Sequence, residues 1–253
     1  VKLQIMKTDN GSRADIIVKM KDLKLSGMIE SYDEIIANTA RIKGTVNHAL
    51  YELLKAESKK RTIAGIKNRM SAAKFPISRD LHNFIFTDTP IDQVQVMNLY
   101  SCAFVESFRN IILVGGTGTG KSHLAISIAS RAIRKGYKAC FYNLVDLANK
   151  LEREKIDGYA GKIAKQMAKV DILVLDELGY LPFSKNAGQL IFHMLSKIDS
   201  NTSFIITTNL NFAEWNNVFI DKKMTVALLD RICHNCDIVE TGNKSYRLKN
   251  RVV

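Results

Sequence analysis

A glycine-rich stretch that ends in a lysine and a serine has the residue types and the spacing needed to bind a chain of phosphates. Residues 115–122 read Gly-Gly-Thr-Gly-Thr-Gly-Lys-Ser and fit the pattern G-x-x-x-x-G-K-[ST]. Glycine accepts the positive φ angles that turn backbone N–H groups inward around an anion. We therefore predict a nucleotide site in which Lys121 brings a positive charge to the β- and γ-phosphates and the Ser122 hydroxyl is a ligand of Mg²⁺. The predicted nucleotide-binding residues are Gly115, Gly116, Thr117, Gly118, Thr119, Gly120, Lys121, Ser122 and His123.

The residues on either side of this loop favour a phosphate site over a glycine-rich turn without a ligand. Upstream, residues 111–114 are all apolar, as expected for a buried parallel strand. Downstream, apolar residues recur at helical spacing until Gly136. The order of strand, loop and helix is the one that such a site requires, and the N-terminus of the helix adds a positive dipole.

Polar side chains follow two further apolar runs. Asp176 and Glu177 come directly after residues 172–175, and Asn209 follows the run 203–206 and two threonines. Ligands of open α/β sheets lie at the carboxyl ends of the strands. We therefore predict that Asp176 belongs to the Mg²⁺ shell, that Glu177 orients or deprotonates the attacking water, and that Asn209 hydrogen-bonds the γ-phosphate or that water. The alternatives are surface carboxylates and an asparagine of an ordinary turn.

The chain is strongly basic, with 37 lysines and arginines against 25 acidic residues among 253, a net charge of +12. Such an excess suggests a polyanionic partner, either nucleic acid or an acidic membrane surface, although general solubility is the alternative. Residues 1–85 contain 16 basic and nine acidic residues, so the excess is concentrated in the first third of the chain. This distribution favours phosphate contacts that position a protein on DNA without reading its sequence.

The predicted nucleic-acid contacts lie in two stretches. One is a helix that begins near Thr45, an N-cap candidate, and ends at Pro76; a solvated helix face is its alternative interpretation. The other is the basic, glycine-punctuated segment 155–169, which could equally be a plain surface connection. The residues concerned are Lys59, Lys60, Arg61, Lys67, Arg69, Lys162 and Lys165.

Hydrophobic periodicity predicts a helical domain over residues 1–80 and an α/β domain over residues 81–253. In the first domain, one helix extends from Lys19 to beyond Ile36. The second domain is predicted to contain helices over 99–108, 144–154, 213–219 and 224–235, a strand over 139–143, and a closing hairpin of strands 237–240 and 245–248. Phe84, Ile85 and Phe86 are candidates for packing near the nucleotide base, and an ordinary role in the core is the equal alternative.

The remaining features predict a cytosolic protein with ordinary reduced thiols. Cys233 and Cys236 form the one close-spaced cysteine pair, and no second pair completes a zinc site. No apolar run approaches the roughly 18–20 residues that a membrane span needs, and the chain has no signal-like start.

Four stretches of the sequence resemble the AAA+ ATPases of the initiator and helicase-loader group. Within that group the chain is most similar to the IstB transposition helper ATPases encoded by insertion sequences, over about residues 20–250. Residues 23–28 also resemble the N-terminal region of that family. The stretches are residues 115–122, 175–180, 206–209 and 229–232, followed by the closing residues 245–248.

The resemblance implies an α/β P-loop AAA+ core, a parallel sheet flanked by helices, preceded by a small all-helical domain. Asp176 and Glu177 match the Walker B positions, and Asn209 matches sensor 1. Arg231 matches the arginine finger, which acts in a neighbouring subunit's site; a helix-surface ion pair is the alternative. The chain ends at Val253, soon after the core, so we expect little or no C-terminal lid, and Arg247 is not assigned the role of a lid arginine.

The resemblance further implies ATP and Mg²⁺ as cofactors and a homo-oligomer assembled on double-stranded DNA, with the cognate transposase as partner. The expected function is that of an ATP-hydrolysing helper in transposition. The alternative within the same fold is a DnaC/DnaI-like replicative helicase loader. Alternatives from other classes are a small-molecule kinase and a nucleotide-gated DNA clamp that hardly hydrolyses ATP.

Overall fold

The computed structural model describes residues 11–87, 89–179, 184–198, 201–217 and 222–246. They fall into two compact units, and the division lies between Asn68 and Arg69, within the long third helix. Among the described helices, none is both long enough and apolar enough to cross a membrane.

The first unit is built from three helices, α1 (Arg13–Asp22), α2 (Ser26–Arg41) and α3 (Val46–Ala73). The prediction of one continuous helix from Lys19 was wrong. The chain leaves the helical conformation at Lys24, which has φ of 56°, and the Leu25 N–H donates back to the Met20 carbonyl oxygen at 2.8 Å. The predicted N-cap of α3 is confirmed, because the His48 N–H donates to the Thr45 hydroxyl at 3.2 Å.

A buried carboxylate from α3 caps the N-terminus of α2. The Glu57 side chain is buried, and its Oε2 accepts hydrogen bonds from the Gly27 N–H at 2.6 Å and the Met28 N–H at 3.2 Å. Its other oxygen accepts from Arg61 Nε at 2.7 Å. The hydrogen bond from Arg61, more than the two backbone N–H groups, holds the pKa of Glu57 below its ordinary value despite the opposing effect of burial. Leu25 provides no side-chain cap, so Glu57 satisfies these amides.

The second unit contains a parallel sheet of five strands in the order β2-β3-β4-β1-β5, which confirms the predicted fold class. The central strands contain apolar runs that are buried on both faces, with Ile111, Ile112 and Leu113 fully inaccessible to solvent. The strands are β1 (Asn110–Val114), β2 (Ala139–Asn143), β3 (Ile172–Leu178), β4 (Ser203–Thr208) and β5 (Cys236–Glu240).

Helices and short 3-10 turns precede the first strand and connect the strands that follow. The helices are α4 (Gln93–Tyr100), α5 (Ala103–Glu106), α6 (Lys121–Arg134), α7 (Leu144–Ile156), α8 (Lys162–Met167), α9 (Lys185–Lys197) and α10 (Lys222–Cys233). The 3-10 turns are Leu81–Asn83 and Phe212–Asn217. Since all strands are parallel, their carboxyl ends meet at one edge of the sheet, and the loops after β1, β3 and β4 converge there.

Four further predictions of secondary structure differ from the structure. The helix over 99–108 is interrupted at Cys102, which has φ of 64°, and the stretch 213–219 is a 3-10 turn over its described residues. The segment 155–169 contains the short helix α8. Of the predicted closing hairpin, strand 237–240 is confirmed within β5, whereas residues 245 and 246 are not in a strand, and the Tyr246 N–H donates to the Gly118 carbonyl oxygen of the phosphate loop. Residues 247 and 248 lie outside the described residues.

Candidate functional site

The phosphate loop leaves β1 and enters α6 in a conformation that two of its glycines make possible. Gly115 has φ of 152° and Gly120 has φ of 99°, and each lies against another part of the chain. A Cβ at Gly115 would lie 2.6 Å from the Gly242 carbonyl oxygen and closer still to the Thr241 hydroxyl. At Gly120, it would lie 2.5 Å from Cε2 of Phe84. Any side chain at these two positions would therefore displace a neighbour as well as strain the backbone.

Lys121 lies at the first position of α6, and its amine reaches back over the loop. Its Nζ donates hydrogen bonds to the carbonyl oxygens of Gly115 and Gly116, both at 2.6 Å. The helix N-terminus presents the backbone N–H groups of residues 121 and 122 at the same place. One ammonium group and a helix N-terminus therefore point at a single region, which is suited to an anion.

Ser122 and Asp176 are joined directly, although 54 residues separate them in the sequence. Ser122 Oγ donates to Asp176 Oδ1 at 2.8 Å, and Thr207 Oγ1 donates to the same oxygen at 2.6 Å. Asp176 is only 7% exposed, so two hydroxyl groups hold a buried carboxylate in one orientation. The sequence did not identify Thr207, which lies on the neighbouring strand β4.

These oxygen atoms suit Mg²⁺ in a nucleotide site. Mg²⁺ in such sites takes one or two protein oxygens and completes its shell with water and phosphate. Ser122 and Asp176 supply a hydroxyl and a carboxylate side by side. Within the described ranges, no group of three or more His, Cys, Asp or Glu side chains could hold a metal by itself.

Glu177 has a strained backbone that turns its side chain towards β2. The register of β3 against β4 shifts between Leu175 and Leu178, and Glu177 has φ of 64°, which is uncommon for a residue with a Cβ. Its N–H donates to the Thr207 hydroxyl at 2.9 Å. Left-handed residues of this kind concentrate at functional sites, where surrounding contacts stabilise them.

Asn143 holds the Glu177 carboxylate and was not identified from the sequence. Its Nδ2 donates to Glu177 Oε2 at 2.6 Å, while its Oδ1 accepts from the N–H groups of Val145 and Asp146 and so caps α7. The available signal was an asparagine between an apolar strand and a helix, which predicts the cap alone. Its pairing with the carboxylate depends on β2 lying beside β3, where Asn143 is opposite Asp176.

A cavity of about 520 Å³ brings most of the predicted site residues together. It is lined by residues 117–123 together with Asp176, Glu177 and Asn209. Gly115 and Gly116 are not among its lining residues and lie beneath the Lys121 amine. Its size is that of a typical small-molecule site.

The segment before β1 supplies the apolar part of this cavity. Phe84 and Ile85 line it, whereas Phe86 packs against the Phe84 ring with centroids 4.8 Å apart. His123 lies edge-on to Phe84 at 5.3 Å between ring centroids, and its Nε2 is 2.9 Å from the Asp80 carbonyl oxygen. This segment could therefore hold an aromatic base beside the phosphate loop.

Asp80 fastens the segment to α6. Its carboxylate accepts hydrogen bonds from the ring and the N–H of His82, and from Arg134 Nη1 at 3.0 Å. These contacts, the His82 ring foremost, lower the pKa of Asp80 to about 2.

Arg231 does not line the cavity within its own chain. Its guanidinium donates to the carbonyl oxygens of Ser196 at 2.9 Å and Ile198 at 2.6 Å, at the C-terminal end of α9. The described contacts are therefore with a helix C-terminus, which favours a positive charge, instead of the carboxylate that an ion pair requires.

The predicted nucleic-acid residues differ in their surroundings. Lys60 and Arg61 pair with Glu30 and Glu57. Lys59 and Lys67 are exposed on α3, while Arg69 is half-buried. Lys162 and Lys165 are exposed and line a shallow basic hollow with Tyr159 and Lys169.

Solved structures similar to this chain share its α/β fold. AMPPCP-bound DnaA from Aquifex aeolicus has 21% sequence identity and a TM-score of 0.54, covering 66% of this chain and 50% of that one. The DnaC helicase loader has 22% identity and a TM-score of 0.50, over 58% and 86% of the two chains. DnaI has 18% identity and a TM-score of 0.55, over 64% and 90%. At these identities the similarity concerns the fold, which is that of AAA+ proteins.

Sequence relatives are proteins of insertion sequences whose names describe them as ATP-binding. The IS21 protein of Pseudomonas aeruginosa is 31% identical over 94% of this chain and 90% of its own length. The IS5376 protein of Geobacillus stearothermophilus is 30% identical over 90% and 92%. Residues 18–253 match the family described as IstB-like ATP binding protein. The phosphate loop after β1 and the carboxylate pair on β3 agree with this match. Because the match extends over nearly the whole chain, the protein belongs to the IstB-like family of ATP-binding proteins.

Proposed function

We propose that the protein hydrolyses ATP and uses that reaction to control its assembly on double-stranded DNA as a helper of insertion-sequence transposition. The observation that carries the proposal is the meeting of Lys121, the Ser122–Asp176 pair and Glu177 at one sheet edge, in a chain of an insertion-sequence family. A phosphate site alone would support binding, whereas the adjoining carboxylates supply the groups that hydrolysis needs.

The chain's own residues have distinct parts in this reaction. Lys121 and the N–H groups of the phosphate loop bind the β- and γ-phosphates, and Ser122 and Asp176 hold Mg²⁺. When bound, Mg²⁺ supplies positive charge that neutralises the phosphate oxygens. Glu177 accepts a hydrogen bond from the attacking water and receives its proton, while Asn143 fixes the position of that carboxylate. Asn209, exposed at the end of β4, hydrogen-bonds the water or the γ-phosphate.

DNA binding in this proposal depends on phosphate contacts from exposed lysines. Lys59, Lys67, Lys162 and Lys165 are accessible, and the chain as a whole carries a net charge of +12. Lysine contacts with phosphate carry no sequence information, so binding should be largely independent of sequence and should weaken steeply with salt.

We further propose that the active form is an oligomer in which Arg231 of one copy enters the ATP site of the next. Such an arginine stabilises charge in the transition state and can raise the rate by about 10³–10⁵. Arg231 would then exchange the α9 carbonyls for the phosphates of the neighbouring site.

The cognate transposase is the proposed partner, because the relatives belong to insertion sequences. The cytoplasm is the proposed compartment.

The second candidate is a replicative helicase loader, favoured by the similarity of the fold to DnaC and DnaI. A loader of this kind should prefer single-stranded DNA, and its helical N-terminal unit would bind a helicase. The sequence relatives, at 30–31% identity over 90% or more of the chain, favour the transposition helper.

The rate of ATP hydrolysis by the purified protein tests both candidates. It is measured without DNA, with duplex DNA and with single-stranded DNA, and particle size is followed in each case. We expect turnover and large assemblies to appear with duplex DNA. Stimulation confined to single strands would favour the loader. Turnover that responds to neither DNA would contradict the proposed role of DNA and leave the nucleotide site intact.

A further inference from the structure

The segment that follows β5, residues 241–246, packs along the phosphate loop. The Gly116 N–H donates to the Gly242 carbonyl oxygen at 2.8 Å, and the Tyr246 N–H donates to the Gly118 carbonyl oxygen at 3.1 Å. Beside these two backbone contacts, the hydroxyl oxygens of Thr119 and Thr241 are 2.6 Å apart and both side chains are buried. The segment therefore contacts three residues of the loop.

The rest of the structure leaves this segment little freedom to move away from the loop. The Thr241 N–H continues the β1 edge by donating to the Val114 carbonyl oxygen at 2.7 Å. Gly242 has φ of 73°, and a Cβ there would lie 2.6 Å from Cγ of Pro90. Because the segment is held between Pro90 and the loop, the shape of the loop depends on it.

Tyr246, at the end of the segment, lines the same cavity as Lys121, Ser122 and Phe84. Tyr246 is 48% exposed, and it belongs to the lining of that cavity together with residues of the phosphate loop. An aromatic residue at the mouth of a phosphate site offers the nucleoside a contact that a phosphate chain cannot use. Phe84, before the loop in sequence, and Tyr246, after β5, therefore both line the cavity.

We propose that residues 241–246 form one wall of the nucleotide site. Thr241 and the backbone of the segment hold the phosphate loop in the shape that binds phosphates, and the Tyr246 ring contacts the nucleoside of bound ATP. The inference rests on the proposed nucleotide site and assigns it a specificity residue from the far end of the chain. Tyr246 should then favour a nucleotide over a bare polyphosphate.

Equilibrium binding of two probes, ATP and inorganic tripolyphosphate, each with Mg²⁺ and without DNA, tests the role of Tyr246. We expect Tyr246→Ala to bind ATP about tenfold more weakly, with unchanged tripolyphosphate affinity, because the ring contacts only the nucleoside. Tyr246→Phe should retain most of the ATP affinity. Tyr51→Ala is the matched control, since Tyr51 is also exposed and lies outside the cavity. Equal losses for both probes, or no loss for either, would overturn the nucleoside contact.

If Thr241 holds the phosphate loop in shape, its loss should weaken the binding of both probes, unlike the loss of Tyr246. Thr241→Val keeps the side-chain shape and removes the hydroxyl that meets Thr119, so both probes should bind about fivefold more weakly. Thr241→Ser retains the hydroxyl and should bind both as the unchanged protein does. Unchanged binding by folded Thr241→Val, or a loss with Thr241→Ser as large as with Val, would overturn this role. Thermal unfolding establishes that each variant folds.

One parallel variant separates failure of this inference from failure of the proposed function. If Lys121→Ala abolishes ATP binding while Tyr246→Ala and Thr241→Val change nothing, the inference alone is wrong. If Lys121→Ala binds ATP normally, the nucleotide site itself is wrong, and the inference is overturned with it.

Discussion

At the level of single residues, two carboxylates that are adjacent in the sequence have different partners. Asp176 is buried and accepts hydrogen bonds from the hydroxyls of Ser122 and Thr207. Glu177 is exposed on a strained residue and accepts from Asn143. The alternating sides of a strand and the shift in register explain the difference, because they turn the two side chains in different directions. The first environment suits a metal ligand, and the second suits a base open to water.

Lys121→Ala should abolish measurable ATP binding, with an affinity at least about a hundredfold lower, because the phosphates lose a charged partner. The measurement is titration calorimetry with ATP and Mg²⁺. Lys155→Ala removes an equal charge from a residue outside the cavity and is the matched control. Normal ATP affinity in Lys121→Ala would contradict the assignment of the site.

Asn143 can be tested by two substitutions that separate its two contacts. Asn143→Asp keeps an acceptor for the α7 cap and places a negative charge against Glu177, so we expect kcat to fall about tenfold with little change in ATP affinity. Asn143→Ala should also lose about 1 kcal/mol of stability through the missing cap. Steady-state hydrolysis and thermal unfolding measure the two effects. Equal kcat in the unchanged protein and Asn143→Asp would show that Asn143 does not orient the base.

At the level of elements, the N-terminus of α2 depends on a side chain from another helix. A polar side chain at the residue before α2 could accept hydrogen bonds from the first N–H groups of the helix, but Leu25 has no such side chain. Glu57 supplies the acceptor from 30 residues away, and Gly27 leaves room for it, because a Cβ there would lie 2.7 Å from the Glu57 Cα. The close approach of α2 and α3 therefore requires both a glycine and a carboxylate.

Glu57→Gln should lower the midpoint of thermal unfolding of the first unit, followed by helical circular dichroism of the full chain. The pKa of Glu57 is lower in the folded state, so the stability from this group is present above its unfolded pKa and is lost as the pH falls through the folded value. The unchanged protein should therefore lose more stability on acidification than Glu57→Gln does.

Glu52→Gln is the control for this comparison, because Glu52 lies on the same helix and, among the described residues, its carboxylate pairs with Lys55 at the surface. It should have little effect on the unfolding midpoint at any of these pH values. Equal effects of the two substitutions would mean that the buried cap does not stabilise α2.

At the level of the whole molecule, the function that we propose requires more than one copy of the chain. The cavity is lined by Lys121, the Ser122–Asp176 pair and Glu177, whereas Arg231 is not among its lining residues and donates to the end of α9. If Arg231 completes a neighbouring site, then hydrolysis and assembly become coupled, and DNA can promote both by bringing copies together.

Mixing two inactive variants tests whether Arg231 acts in a neighbouring site. Arg231→Ala should bind ATP normally and lose DNA-stimulated turnover, and Glu177→Gln should lose turnover through its base. Mixed oligomers contain some sites with both groups intact, so partial activity should return in proportion to the mixing ratio. The absence of recovery at every ratio, in mixtures shown to co-assemble, would indicate that Arg231 only stabilises the α9 terminus.

Salt dependence of duplex binding tests the basic residues. Replacing Lys162 and Lys165 together by alanine should reduce the slope of log affinity against log salt by about two, whatever the DNA sequence. Lys43→Ala with Lys197→Ala removes the same charge from other exposed positions and should leave the slope nearly unchanged. Equal slopes for both double variants would place the DNA surface elsewhere.

The sequence by itself determined the features that depend on neighbouring residues. The phosphate-loop spacing, the apolar strands, the helical repeat of α6 and the Thr45 cap are patterns within a few residues of one another, and they were sufficient to predict the parallel α/β fold. The likeness of several motifs in fixed order also identified the family.

Tertiary structure decided which distant residues complete those features. Asn143 meets Glu177, and Thr241 meets Thr119 across 122 residues, because the parallel sheet places β2 beside β3 and β5 beside β1. Asparagine and threonine have no sequence signal for such contacts, since each is common in caps and turns. The same cause applies to residues 245 and 246. Local turn residues predicted that the chain returns along β5 as a strand, whereas the Tyr246 N–H donates to Gly118, more than a hundred residues earlier.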